Sequence, residues 1–312
     1  MLEFLSVRAI PGVEKVEAGR YARSIAIGDD HGVLTVEKGA RDKLVVGIRF
    51  PRLEALASII ARVRRVFDLA ADPQVIGAHL SQDELLAPFV AARPGLRVPG
   101  GWDGFELAVR AILGQQITVA AASSLAGRLV RAFGTPISED LAATVEGLTH
   151  VFPPPERLIK ADIAALDMPR SRALALSSLA GAVAADPAIF GPARGLEEAI
   201  AKLRSLSGIG EWTAQYIAMR ELREPDAFPA ADIGLMRALA GPDGRRPTPV
   251  ELLARAESWR PWRAYAALHL WGHDSRTPSE TKKRAGQNPG GKTHEPRNRE
   301  RDQHQPHARK AA

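Results

Sequence analysis

The tripeptide Gly208-Ile209-Gly210 constrains this chain of 312 residues more than any other stretch. Before it, residues 199–206 carry Ile200, Leu203 and Leu206 at helical spacing. After it, residues 211–220 resume a helix with Trp212, Tyr216 and Ile217 on one side. Two glycines permit backbone angles that a Cβ obstructs, so the pattern predicts helix, tight turn, helix. Such a hairpin aims successive backbone N–H groups outward at the start of a new helix, where one phosphate can sit. Further on, Pro229-Ala230-Ala231-Asp232 precedes the apolar run Ile233, Leu235, Met236 and Leu239. Asp232, 22 positions after Gly210, stands where an N-cap belongs. Taken singly, a Gly-x-Gly between helices is an ordinary turn, and an Asp before an apolar helix is an ordinary cap. Their order and spacing together are more specific.

Composition closes several alternatives. There is no cysteine, which excludes disulfides, thiolate zinc sites, a cysteine nucleophile and thiolate-held iron–sulfur clusters. There is no 18-residue apolar run and no basic-plus-apolar leader, so the expected location is the bacterial cytosol and nucleoid, with no membrane partner. The eight histidines are scattered, three of them within residues 275–312, and form no metal-nuclease pattern. The net charge of +6 is local: residues 275–312 hold 10 Lys+Arg and 4 Asp+Glu, and the rest of the chain is neutral. A DNA-facing surface on the body therefore has to be a local feature, with backbone N–H groups holding much of the phosphate.

The chain reads as three parts. Residues 1–88 suggest a small α+β unit. Alternation over 21–27 and apolar runs at 33–37 and 43–50 predict three strands, with residues 4–10 a fourth candidate. Residues 53–68 predict an amphipathic helix that buries Leu53, Leu56, Ile60, Val63 and Phe67 and leaves Arg62, Arg64 and Arg65 on its other faces. No catalytic constellation is visible in this part. Residues 89–274 read as almost entirely helical. Asp103 caps a helix with Phe105, Val109, Ile112 and Leu113 inward, and Gly114-Gln115-Gln116 interrupts it. Thr118 starts the next helix and Gly134 stops it, and further helices are predicted at 158–166, 170–185 and 197–206. The expected fold class is mainly α, a two-lobed helix-hairpin-helix body with a cleft, preceded by a small α+β antiparallel-sheet domain. Residues 275–312, nearly devoid of apolar side chains, predict a disordered basic tail.

The hairpin and Asp232 resemble those of the helix-hairpin-helix DNA glycosylases. Further matches narrow the resemblance to the 3-methyladenine DNA glycosylase II (AlkA) family. Trp102-Asp103-Gly104-Phe105-Glu106 leads into Arg110-Ala111-Ile112-Leu113-Gly114-Gln115-Gln116, like the family's helix and loop that face the minor groove. Trp259-Arg260-Pro261-Trp262-Arg263 and residues 264–271 match its closing helix, and residues 64–76 resemble the end of its N-terminal domain. The resemblance spans residues 1–274. Three positions depart from it. Gln116 stands where a wedging Leu is found, Ser207 replaces a commoner Pro, and Gly272 replaces a Tyr, which would open one wall of the base pocket.

The resemblance implies a monofunctional DNA glycosylase, acting as a monomer on double-stranded DNA with alkylated bases. Strand-cutting relatives carry a Schiff-base Lys where this chain has Trp212, so no lyase step is expected. Asp232 would be catalytic, either stabilising the oxocarbenium-like sugar or activating water. Gln115, Trp212, Tyr216 and Trp271 would form the base pocket, whose aromatic faces suit a cationic base. Gln116, Gly208, Ile209, Gly210 and Thr213 would bind DNA. No cofactor is implied for the chemistry, but the carbonyls of Arg204, Leu206 and Ile209 would hold a monovalent cation, Na+ or K+. Two other readings stay open: a DNA-binding module in which Asp232 is only a cap, and a glycosylase of the same fold for oxidised or mismatched bases.

Overall fold

The computed structural model describes residues 1–274 apart from Pro242; the tail expected over residues 275–312 lies outside the described residues. A helix α1 (Leu2–Ser6) leads into an antiparallel meander of β1 (Glu14–Glu17), β2 (Arg20–Ile27), β3 (Asp30–Lys38) and β4 (Leu44–Arg49), paired in chain order. Tyr21 lies opposite Val36, and Arg23 opposite Leu34. The pleat therefore sends Tyr21, Ile25, Leu34 and Val36 to one face, where Ile59, Val63 and Val66 of α2 (Leu56–Val66) cover them. Ala22 and Val33 point the other way, into Ile137, Leu148 and Val151. Central β2 is thus buried on both faces.

Two expectations for this part are corrected. Residues 4–10 do not form a strand; their first half belongs to α1. Leu5 enters the sheet core while Phe4 and Arg8, one helical turn apart, stack on each other, a period of about four rather than two. The helix at 53–68 is present but turned. Ile59, Val63, Val66 and Phe67 are buried, whereas Leu53 is 80% exposed and Leu56 and Ile60 face solvent. Two of its arginines set that facing. Arg65 donates to the carbonyls of Gly101 (3.2 Å) and Trp102 (2.8 Å) and pairs with Glu221 at 2.9 Å. Arg62 approaches Asp103 at 3.5 Å.

The chain then enters helices α3 (Pro73–Leu80) and α4 (Ala87–Ala92), whose Ile76, Leu80 and Val90 join the helical core rather than the sheet. Next come α5 (Gly104–Leu113) and α6 (Val119–Phe133), then α7 (Glu139–Ala142), α8 (Pro155–Ile159), α9 (Arg170–Ala185), α10 (Leu196–Arg204) and α11 (Glu211–Ile217). The helical run is interrupted by one short ladder, β5 (Thr135–Pro136) with β6 (His150–Val151). The chain closes with α12 (Ile233–Ala238), α13 (Pro249–Arg255) and α14 (Arg263–Asp274). Helix α5 is the hub of one lobe: all its residues but Arg110 are buried, and it meets α6, α9 and α11. In the other lobe α14 packs on α12 and α4. Fully buried Trp259 fastens that lobe, donating its indole N–H to Asp83 at 2.8 Å. Caps at Asp103 and Thr118 start their helices as the sequence predicts.

Sheet and helices are joined by a buried ion network. Arg23 of β2 reaches Glu106 of α5 at 2.7 Å, and Arg110 engages both Glu106 (2.6 Å) and Glu14. Burial opposes the Glu106 charge, yet Arg23 and Arg110 hold its carboxyl down to about 2. A second buried carboxyl behaves in the opposite way. Helix α11 runs on into a π-turn at Ala218–Leu222, which buries Arg220 and Glu221 side by side. Burial pushes Glu221 up to about 7 although Arg65 is beside it. A raised carboxyl stabilises the fold fully below its unfolded value, and that contribution is lost as pH climbs through about 7. Between pH 5 and 8 the melting temperature of the wild type is therefore expected to fall more than that of Glu221→Gln, measured by calorimetry. Equal slopes would contradict this assignment.

Candidate active site

The hairpin forms as the sequence predicts. Helix α10 ends at Arg204, the turn runs through residues 205–210, and α11 begins at Glu211. Gly208 has φ +82°, and a Cβ there would collide with that of Ala175 in α9. Ile209 plugs into the core, while Ser207, Gly208 and Gly210 face solvent. Gly210 is the N-cap, no side chain caps this helix, and a Cβ at Gly210 would meet nothing within 4 Å. The open first turn leaves its N–H groups available to an outside acceptor.

Two glutamines between α5 and α6 have different roles. Gln115 donates its amide to the carbonyl of Gly208 at 2.9 Å and to the hydroxyl of Thr213 at 3.2 Å, so it braces the hairpin. Its own carbonyl accepts from Arg172 at 2.5 Å. Thr213 is buried and faces Gln115. Gln116 is exposed with φ +59°, a left-handed conformation uncommon for a side chain of its size, and so stands out from the loop.

Asp232 is the N-cap of α12, accepting from the backbone N–H of Leu235 at 2.9 Å. It is more than a cap. The indole N–H of Trp212 donates to its Oδ2 at 2.8 Å, and that of Trp271 donates to its Oδ1 at 2.8 Å. One indole comes from α11 in the first lobe and the other from α14 in the second, so the carboxylate is clamped where the lobes meet. Three donors fix its direction, and one of its roughly four acceptor positions remains. Trp212 in turn stacks on Tyr216, with ring centroids 5.2 Å apart and planes at 10°.

Trp212 and Tyr216 also line a cavity of about 180 Å³ between α1, α5, α6 and the π-turn. Its far wall comes from the N-terminal part of the chain, where sequence reasoning found nothing: Phe4 of α1 and Arg8 in the turn after it face it. The guanidinium of Arg8 lies 3.8 Å from the Phe4 ring centroid, and that of Arg220 lies 4.9 Å from it on the π-turn side. Arg220 is anchored on the carbonyls of Pro99 (2.7 Å) and Gly100 and on the Tyr216 hydroxyl. Burial works against ionisation of Tyr216, but Arg220 and Arg8 outweigh it and lower the hydroxyl below its ordinary value. The i, i+4 spacing of Phe4 and Arg8 was the signal available, and it is masked when the segment is read as a strand.

The expected opening at Gly272 is not there. The Arg93 guanidinium fills the space a Cβ would take, donating to the carbonyls of Leu268 (3.4 Å) and His269. Among the described residues no group of three or more His, Asp or Glu side chains is placed to hold a metal, and no helix is long and apolar enough to cross a membrane.

Comparison with known proteins agrees with this layout. Residues 1–103 match the AlkA N-terminal domain, and residues 109–264 match the HhH-GPD superfamily base excision DNA repair protein. DNA-3-methyladenine glycosylase 2 of Escherichia coli is 37% identical over 284 residues, 90% of this chain and 95% of that protein. A Mycobacterium tuberculosis protein described as a probable bifunctional transcriptional activator/DNA repair enzyme AlkA is 38% identical over 270 residues. The match takes in 86% of this chain but only 53%, about half, of that longer relative. Among solved structures, a 3-methyladenine DNA-glycosylase from Archaeoglobus fulgidus superposes with a TM-score of 0.76 at 22% identity, covering 88% of this chain and 94% of the other.

Proposed function

We propose that this chain, which belongs to the HhH-GPD superfamily of base excision DNA repair proteins and carries an AlkA-type N-terminal domain, is a monofunctional DNA glycosylase that excises alkylated purines such as 3-methyladenine. The observation that carries the reading is Asp232, clamped by two indoles from opposite lobes beside an aromatic cavity. A plain helix cap needs neither indole, which favours an enzyme over a binding module.

The steps follow from the positions. Duplex phosphates sit on the open N–H groups of the hairpin at Gly208 and Gly210. Exposed Gln116 fills the stack as the damaged nucleotide leaves it, an extrusion that costs a few kcal/mol and is easiest for poorly paired bases. The base lies against Trp212 and Tyr216, while Trp271 keeps Asp232 aimed at the sugar. As the C1′–N bond breaks, its electron pair goes to the base and positive charge appears on the sugar, which the Asp232 carboxylate stabilises. Water adds to C1′ and releases a proton, giving an abasic site and a free base. With Trp212 in the Lys position no amine is offered to C1′, so the strand stays whole.

A monovalent cation, Na+ or K+, fits the hairpin. Arg204 is the last residue of α10, so its carbonyl is among those without an intrahelical donor, and among the described residues the Leu206 carbonyl accepts the Ile209 N–H alone, at 3.1 Å. With the carbonyl of Ile209, these would supply neutral oxygens suited to such an ion.

Incubation of the protein with methylated duplex DNA tests the reading. The expected products are free methylated purines and a strand that breaks only after alkali. Absence of released base would overturn the glycosylase reading, and breakage without alkali would overturn its monofunctional part.

A further inference from the structure

A cavity assigned to a cationic base carries a conflict of charge. Four arginines line it, Arg8, Arg23, Arg110 and Arg220, against two carboxylates, Glu14 and Glu106. Arg23 and Arg110 are matched by those carboxylates in the buried network. Arg220 is fixed on carbonyls and on Tyr216. Arg8 is different. Among the described residues no carboxylate pairs with it; its acceptors are the Tyr216 hydroxyl, which it shares with Arg220, and the carbonyl of Phe4 at a long 3.4 Å. Five N–H groups against these two acceptors leave donors for an acceptor that enters the cavity.

We propose that Arg8 is a specificity residue of the base cavity, favouring neutral bases that present a carbonyl oxygen over bases that are already cationic. The inference rests on the glycosylase reading above. Its physics is a balance of charges. On bond cleavage the base gains the electron pair of the C1′–N bond, and a nearby positive charge favours that shift for any base. A cationic base must first enter the cavity against the same charge, so over the whole path from free DNA the guanidinium opposes it. A neutral base enters without repulsion, can accept a hydrogen bond from Arg8 through a carbonyl oxygen, and gains as it leaves. Arg8 thereby widens the range of bases beyond those that depart unaided.

The test compares kcat/KM for release of two bases from otherwise identical duplexes: hypoxanthine, neutral with a carbonyl oxygen, and 3-methyladenine, cationic in the nucleotide and without one. For Arg8→Met the expected result is a fall of about ten- to a hundredfold for hypoxanthine, the worth of one charge-assisted hydrogen bond. Release of 3-methyladenine is expected to stay level or rise, with a lower KM. Arg8→Lys keeps the charge and is expected to retain most of the wild-type ratio. Arg8→Gln serves as a second neutral variant, with melting temperatures taken for all three. An unchanged ratio, or parallel loss of both activities in both neutral variants, would overturn the inference. Wild type releasing neither base would overturn the glycosylase reading itself and this inference with it.

Discussion

Gly208→Ala is expected to lower the melting temperature on the order of 10 °C, while Gly210→Ala leaves it nearly unchanged and weakens DNA binding. The two glycines of the hairpin are there for different reasons. Gly208 sits at φ +82° with the Ala175 Cβ in the way of any side chain. A left-handed angle costs an ordinary residue about 1–2 kcal/mol, and overpacking adds about 1–3 kcal/mol. At about 2–4 °C per kcal/mol for a chain of this size class, the sum gives the expected shift. Gly210 has ordinary backbone angles and open space around it, so folding tolerates a methyl group there. The methyl group instead stands between the phosphate and the first turn of α11. Loss of about one charge-assisted hydrogen bond predicts binding weaker by roughly ten- to a hundredfold, equal for damaged and undamaged duplex. Binding assays on both duplexes check this; a loss confined to damaged DNA would place the hairpin in the base pocket.

Asp232→Asn is expected to slow base release by about 10²–10³, the effect of removing one aimed electrostatic group worth about 2.7–4 kcal/mol. The sequence alone suggests that Asn, itself a good cap, leaves stability untouched. The structure alters that expectation. One side-chain oxygen can still accept from Leu235 and Trp271, but the other position becomes an NH₂ facing the indole N–H of Trp212. Two donors then face each other, at a cost of about 1–3 kcal/mol. Trp212→Phe removes that clash and keeps an aromatic face on Tyr216. The double variant is therefore expected to regain melting temperature without regaining rate, separating the fold from the chemistry.

What could be read from residue order was what is local. Caps at Asp103, Thr118 and Asp232 involve neighbours two or three positions away, and each is where the spacing places it. The helix α9 coincides with its expected span because its small and apolar residues leave no competing pattern. What was missed is set by distant partners. Asp232 meets Trp212 and Trp271 across 20 and 39 positions, and Gln115 reaches Gly208 across 93. Gln115 carries both a pocket-like position and amide donors, and only the fold shows that those donors brace the hairpin. The facing of α2 depends on where Arg62 and Arg65 find acceptors in the loop at residues 101–103. Phe4 and Arg8 matter because α5 and the π-turn stand opposite them, which no window of sequence around residue 8 contains.

The most direct test of the central claim is single-turnover release of 3-methyladenine, with protein in excess over a methylated duplex, by wild type and Asp232→Asn. The account predicts a rate lower by about 10²–10³ in the variant, with affinity for the damaged duplex retained. Equal rates in the two proteins would contradict it and leave Asp232 as a helix cap alone.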